Sequence, residues 1–224
     1  MTETVWMVGD TDEERRRWQP VLPPGVGWLG PDQIERASGA ALVLEVSLGP
    51  LGPKRDRLLS LRDVGVSRIV SAATTATIAA QRQWLGDTVP MTGCDPLLML
   101  AGGRVQTVSA GDHEALALLD RIWPEWEFTS VADSIGMVFS REILPIINEA
   151  VAFFEHGVST EDINQGTKLG LNYPRGPLEW AEMFGWSSVY WGLRALEDMY
   201  GPRFRPHPWI RRKVGSSLLE REAL

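Results

Sequence analysis

Short apolar runs alternate with segments of helical periodicity over the first 125 residues of the chain. The strand-like runs lie at 5–8, 26–29, 41–48, 67–71, 89–91 and 105–108, and the helix-like segments at 11–17, 32–38, 55–64, 77–85 and 112–122. Continuous apolar runs such as 41–48 are typical of strands buried on both faces of a parallel sheet. This alternation predicts a doubly wound α/β domain over residues 1–130.

From about residue 133 the pattern changes to helix-length apolar segments. The segment 143–154 is apolar on most of its surface and stops at Gly157, so it predicts a helix buried in a core or at a subunit interface. Ser159 followed by Asp162 indicates a capping box for a helix that runs to about residue 170. Further helices are predicted from about 178 and over 186–200, which makes residues 131–224 an all-helical domain.

Composition excludes several classes of function. The chain has 224 residues, with 22 Lys+Arg against 29 Asp+Glu and a net charge of -7, so a nucleic-acid partner is not expected. It has no run of about 18 apolar residues, which predicts a cytoplasmic protein with no membrane partner. The single cysteine, Cys94, fits a reducing compartment, and the three histidines lie far apart in sequence, so no metal site is expected. Cys94 is either a buried structural residue, which we favour, or a reactive thiol.

Several short motifs follow one another in the helical part. They are Lys168-Leu169-Gly170, Tyr173-Pro174, Gly176-Pro177-Leu178-Glu179 and, further along, Arg205-Pro206. In this order and spacing the segment from Asp133 onward closely resembles the C-terminal domain of the L-3-hydroxyacyl-CoA dehydrogenases. The N-terminal part resembles, more weakly, a contracted form of that family's Rossmann-like nucleotide-binding domain.

The resemblance implies a role in fatty acid metabolism, where the family oxidises the 3-hydroxyl of an acyl-CoA with NAD. It also implies a histidine–glutamate pair as base and orienting group, and a homodimer formed through the helical domain. Gly9, Glu45 and Lys54 fall on positions of the family that lie at the cofactor.

The glycine-rich loop of the family is degenerate in this chain. Its residues here are Gly9-Asp10-Thr11-Asp12-Glu13-Glu14, so only the first glycine is kept. A pyrophosphate needs bare backbone N–H groups at a helix N-terminus, whereas this loop offers four carboxylates. One carboxylate about 6 Å from one phosphate charge costs roughly 2–3 kcal/mol at an effective dielectric near 20. We therefore expect no cofactor, with NAD as the cofactor if the family activity is retained.

The catalytic pair of the family is replaced. Thr92 stands at the position of the histidine, and a threonine cannot act as the base. The position of the glutamate falls on Arg104, or on Gly103 with a shift of one residue. Thr74 and Ser140 fall on substrate-binding positions and keep a hydroxyl that can hold a carbonyl. The family's helical arm, which contributes to its CoA site, is reduced here to the connection 30–40.

These observations leave three hypotheses. The first is a divergent, non-catalytic family member, a pseudoenzyme, that binds an acyl-CoA-like or other small ligand or a partner. The second is an active NAD-dependent 3-hydroxyacyl-CoA (or small hydroxy acid) dehydrogenase with a rearranged site. The third is a structural partner that forms a heterodimer with a full-length relative through the shared helical surface.

Overall fold

The computed structural model describes residues 4–109 and 111–221, with side chains up to residue 215. The chain forms two compact units that divide between Val138 and Phe139. The strands of the first unit are β1 (Val5–Val8), β2 (Val26–Leu29), β3 (Leu42–Glu45), β4 (Ile69–Ala72), β5 (Met91–Cys94), β6 (Val105–Ser109) and β7 (Glu127–Val131). Its helices are α1 (Asp12–Trp18), α2 (Leu51–Asp63), α3 (Ile78–Leu85), α4 (Pro96–Ala101) and α5 (His113–Ile122), with a 3-10 helix at Pro31–Ala37.

The seven strands form one sheet in the order β2-β1-β3-β4-β5-β6-β7. All neighbouring strands run parallel except β5 and β6, which are antiparallel. Leu42 and Leu44 pack into the apolar cluster on one face of the sheet and Val43 into the cluster on the other. The predicted fold class is thereby confirmed, because β3 is buried on both faces as a strand inside a parallel sheet must be.

Three elements of the first unit differ from the sequence prediction. Strand β7 was not predicted because its alternating polar residues leave it largely exposed at the sheet edge. Helix α4 was also missed, although Asp95 caps it and Gly102, with a φ of 72°, ends it after six residues. Strand β5 lies at Met91–Cys94, later than the predicted run at 89–91.

The second unit is helical, as predicted. Its helices are α6 (Phe139–Glu155), α7 (Thr160–Leu171), α8 (Pro177–Phe184), α9 (Trp186–Tyr200) and α10 (Pro208–Arg221), with a 3-10 helix at Pro202–Phe204. The Ser159 hydroxyl accepts a hydrogen bond from the Asp162 N–H at 3.1 Å, so the expected cap of α7 is present. Helix α10 lies beyond the last helix predicted individually from the sequence, at 186–200. In the part of the chain that the structure describes, no helix is long and apolar enough to cross a bilayer.

Candidate functional site

The carboxyl ends of β1, β3 and β4 lie side by side in the first unit. The register pairs Val8 with Glu45 and Glu45 with Ser71, and Gly9 follows Val8 directly. Ligands of parallel α/β sheets bind at this edge, in the crevice beyond the strand ends. The candidate nucleotide site is therefore formed by the loops after these three strands.

Glu45 lies at the centre of a buried ionic network at this edge. Its carboxylate accepts hydrogen bonds from the Lys54 ammonium, from Arg57 Nε at 3.1 Å and from Arg57 Nη2 at 2.9 Å. The side chains of Glu45 and Lys54 are fully buried. Burial by itself raises the pKa of Glu45, but the charges of Lys54 and Arg57 outweigh this effect and hold the pKa at about 2. Glu45 and Lys54, predicted as cofactor contacts, thus form an ion pair with each other.

Hydroxyl and amide groups complete the network around Glu45. Ser71 Oγ donates to the Glu45 carboxylate at 3.0 Å, and the Ser47 backbone N–H donates to it at 3.3 Å. Gln81 from α3 lies behind Ser71, and its amide group donates to the carbonyls of Ala72 and Ala76 at 3.0 and 2.9 Å. The oxygens of Glu45 therefore have partners within the chain itself.

The loop after β1 is joined to the same network. Arg57 Nη1 forms an ion pair with the Asp10 carboxylate. The Asp10 backbone N–H donates to Glu14 Oε2 at 2.6 Å, and the Glu14 N–H donates to Thr11 Oγ1 at 3.0 Å. The chain's own side chains thus take up two of the backbone N–H groups that would otherwise face a ligand.

Gly9 shows that the space beside this loop is filled. A Cβ added to Gly9 would lie 2.6 Å from carbons of the Trp28 ring and 2.8 Å from Glu14 Oε2. The indole and the Glu14 carboxyl therefore occupy the space that a pyrophosphate would approach across a bare glycine. With Asp10 and Glu14 in this loop, the residues present do not fit the phosphates of NAD.

The two positions of the catalytic pair hold residues with structural contacts. Thr92 is buried in β5, and its Oγ1 accepts a hydrogen bond from the Asp112 N–H at 3.1 Å, just before α5. Arg104 is exposed before β6, and its carbonyl accepts from the Glu127 N–H at 2.8 Å, at the start of β7. Neither side chain supplies an imidazole or a carboxylate to this region.

The two predicted substrate residues lie in different units. Thr74 is buried in the turn after β4, and its Oγ1 has no hydrogen-bond partner among the described residues. Ser140 is buried in the first turn of α6. Cys94 is also buried, and burial raises the pKa of its thiol far above the usual range, which favours the structural interpretation.

Sequence reasoning missed Arg57, which ties the acidic loop to Glu45. The available signal was its position three residues after Lys54 on a helix, which places both cations on one face. The expectation of no metal stays a prediction, although within residues 4–109 and 111–221 no group of three His, Cys, Asp or Glu side chains is placed to hold one.

The motifs of the helical unit hold α7 against α8. Lys168 pairs with Glu179 at 2.7 Å, and Glu179 accepts from the Gly176 N–H at 2.8 Å. Asn164 Oδ1 accepts from the Leu178 N–H at 3.0 Å. These recognisable residues therefore act as scaffold contacts within the unit.

Comparison with known proteins gives a family match over the helical part of the chain. The profile of the 3-hydroxyacyl-CoA dehydrogenase C-terminal domain matches residues 136–223. The chain is similar to 3-hydroxyadipyl-CoA dehydrogenase of Escherichia coli K12, with 40% identity over 86 residues, which are 38% of this chain and 18% of that protein. It is also similar to 3-hydroxybutyryl-CoA dehydrogenase of Clostridioides difficile, with 25% identity over 193 residues, 81% of this chain and 68% of that one.

The fold extends the similarity over both units. The crystal structure of (S)-3-hydroxybutyryl-CoA dehydrogenase from Ralstonia eutropha matches with a TM-score of 0.63 and 16% identity, covering 96% of this chain and 95% of that one. At this identity the match shows the fold. The sequence match to the Escherichia coli protein, by contrast, spans less than a fifth of that relative's length.

Proposed function

Because the chain carries the C-terminal domain of the 3-hydroxyacyl-CoA dehydrogenases and is a relative of those enzymes, we propose that it is a divergent, non-catalytic member that acts by binding. The observation that carries this proposal is the ionic network at the strand ends, in which Arg57 binds Asp10 and Glu45. Replacement of the catalytic pair by Thr92 and Arg104 supports it independently.

Opening this site to a dinucleotide is energetically unfavourable. Removing one partner from a buried ion pair costs about 3–5 kcal/mol, because the other charge stays buried without compensation. The favourable interaction between a helix N-terminus and a bound anion is worth only about 0.3–1 kcal/mol. Displacing Asp10 breaks one ion pair of a network in which Arg57 keeps Glu45 as its other partner, and this cost adds to the repulsion between the loop carboxylates and a phosphate.

Thr74 supports an acyl-CoA-like ligand for the binding role. Its buried hydroxyl lies at the carboxyl edge of the sheet without a hydrogen-bond partner in the described part of the chain. A hydroxyl in this state gains a hydrogen bond when a carbonyl approaches, which is the chemistry of a thioester oxygen. An active dehydrogenase with a rearranged site is the alternative, and it would use NAD.

The first experiment measures NADH binding by thermal stabilisation. The variant combining Asp10→Ala, Thr11→Gly and Glu14→Gly removes the groups that occupy the loop, so NADH should raise its Tm and leave the parent Tm unchanged. Asp12→Ala is the matched control, because Asp12 is an exposed acidic residue of the same loop. Equal NADH responses of the parent and the triple variant would show that the loop does not decide binding.

The second experiment measures chemistry directly. Acetoacetyl-CoA-dependent oxidation of NADH, followed with micromolar protein, should give no rate above background. A rate that scales with protein and is lost in Ser140→Ala would instead establish the active alternative.

For partners, we propose a homodimer formed through the helical unit. Two leucines at the end of α7 are exposed, Leu169 by 81% and Leu171 by 62%, and Phe153 on α6 by 53%. A contiguous patch of exposed apolar side chains marks an association surface, and we assign these three side chains of the helical unit to one. A full-length relative that shares this domain is the alternative partner.

A further inference from the structure

The helical unit contains an open cavity with aromatic walls, which we call the aromatic cleft. Its volume is about 470 Å³. Its lining includes the rings of Phe154, Trp186 and Trp209 and the aliphatic side chains of Val151 and Leu178. Four helices contribute these residues, namely α6, α8, α9 and α10. Pockets of this size, largely apolar with a few polar groups, are typical of small-molecule sites.

The three rings of the aromatic cleft meet edge to face. The centroids of Trp186 and Trp209 are 4.9 Å apart at an angle of 69°, and those of Phe154 and Trp209 are 5.6 Å apart at 73°. Rings set at steep angles present several π faces to one space, and these faces carry negative potential. Such an arrangement attracts a cation that has lost part of its water.

The chain itself places a cation against these rings. The ammonium of Lys213 lies 5.3 Å from the centroid of Trp186 and 5.0 Å from that of Trp209. Glu182 lies beside it, 3.9 Å from the ammonium, and accepts the Trp186 indole N–H at 2.6 Å. Two tryptophan faces and a carboxylate thus surround one alkylammonium group.

The charges of the cleft favour a cationic ligand over an anionic one. Glu182 and Glu179 both line it, Glu179 being paired with Lys168 outside the lining, and Lys213 is its one cationic lining residue within the described chain. The Lys213 side chain is 39% exposed, so it can leave the rings for solvent at little cost. When it does so, the aromatic surface and the Glu182 carboxylate are left without their cation.

We propose that the aromatic cleft binds a small aliphatic ammonium compound, whose head group replaces the ammonium of Lys213 and whose chain lies against Val151 and Leu178. The ammonium of Lys213 then competes with the ligand for the same position against the rings. This site is independent of the nucleotide crevice, because all its residues belong to the helical unit.

The test uses hexyltrimethylammonium as the probe with the full chain. Calorimetric titration should show saturable binding, while hexanoate and hexanol at equal concentration should not bind measurably. Nitrogen-edited NMR spectra should show the indole N–H signals of Trp186 and Trp209 moving together as the probe is added. These two signals report occupation of the cleft itself.

Two substitutions distinguish the proposed cation site from non-specific hydrophobic binding. Lys213→Met keeps the aliphatic chain and removes the competing ammonium, so probe affinity should rise at least about threefold, which is roughly 0.7 kcal/mol. Glu182→Gln should weaken binding about fivefold. Arg211→Met is the control, since it removes one exposed charge from the same helix outside the cleft, and probe affinity should be unchanged.

Three outcomes would overturn the proposal. Equal affinity for hexanol or hexanoate would make the cleft an apolar cavity without cation preference. Unchanged or weaker binding by Lys213→Met would show that Lys213 does not occupy the ligand position. Movement of the two indole signals on dilution of the protein without probe would identify a second copy of the chain as the occupant.

Discussion

Glu14 illustrates at the scale of one residue how the chain's own side chains fill the crevice at the strand ends. Burial, and then the neighbouring Asp10 carboxylate, raise the pKa of Glu14 from 4.5 to about 7. The folded protein therefore holds this proton more tightly than the unfolded chain does. The contribution of this proton to the stability of the folded protein is complete below about pH 4.5 and is lost as the pH rises through 7.

We predict that Glu14→Gln reduces the loss of folding stability that the parent shows between pH 5 and 8. The amide keeps an oxygen for the Asp10 N–H and carries no charge, so the variant should be more stable than the parent at pH 8 by about 1–2 kcal/mol. Near pH 5 the two proteins should differ little. Urea unfolding at both pH values measures the effect.

The control for this prediction is Glu13→Gln, because Glu13 is exposed and pairs with Arg17 at the surface. It should follow the parent at both pH values. If Glu14→Gln retained the parent's loss of stability between pH 5 and 8, another group would be responsible for it.

The residue scale is also where sequence reasoning is weakest. The prediction that Thr92 and Arg104 stand at the positions of the family's catalytic pair comes from short motifs in the sequence. The ion pair between Arg57 and Asp10 joins residues 47 positions apart, and no local pattern indicates it. Long-range polar partners depend on how strands are ordered in the sheet, which periodicity does not specify.

At the scale of elements, hydrophobic periodicity predicts most of the helices and strands. Helix α9 lies at the predicted 186–200, because its apolar positions repeat with the helical period. Hydrophobic periodicity does not predict strand β7 or helix α4, since β7 is mostly polar and α4 has only six residues. Periodicity is informative only where an element buries one face over several turns.

The junction between α7 and α8 gives a prediction at this scale. A Cβ on Gly176 would lie 2.2 Å from Asn164 Oδ1 and 2.3 Å from Asn164 Cβ, so Gly176→Ala must displace Asn164 from the start of α8. Overpacking of this kind costs about 1–3 kcal/mol, and we expect the free energy of unfolding to fall by that amount.

Gly166→Ala is the matched control for this junction. Apart from its chain neighbours and its own helix backbone, no described residue places a heavy atom within 4 Å of a Cβ at Gly166, and the position is inside a helix. Alanine should therefore leave stability unchanged or raise it by about 0.5–1 kcal/mol. Thermal unfolding that showed equal losses for both variants would contradict the packing argument.

At the scale of the whole molecule, the prediction concerns association. Light scattering coupled to size exclusion should give twice the chain mass of 24.9 kDa. Leu169→Glu places a charge on the exposed end of α7 and should shift the protein toward the monomer. Val105→Glu is the control, since Val105 is 49% exposed in the first unit and should leave the mass unchanged.

The outcome distinguishes the two proposed partners. A parent protein that runs at 24.9 kDa at all concentrations excludes the homodimer. Mixing that monomer with a full-length relative then tests the heterodimer, and a mass equal to the sum of the two chains would establish it.

The buried network at the strand ends also has a consequence for the protein's evolutionary history. Its four charges, Asp10, Glu45, Lys54 and Arg57, balance one another, so replacing any one of them by a neutral residue leaves an uncompensated charge inside the protein. Each such replacement is destabilising unless a second change accompanies it. The four positions are therefore constrained jointly, and we expect natural variation at them to occur in pairs that keep the charge balance.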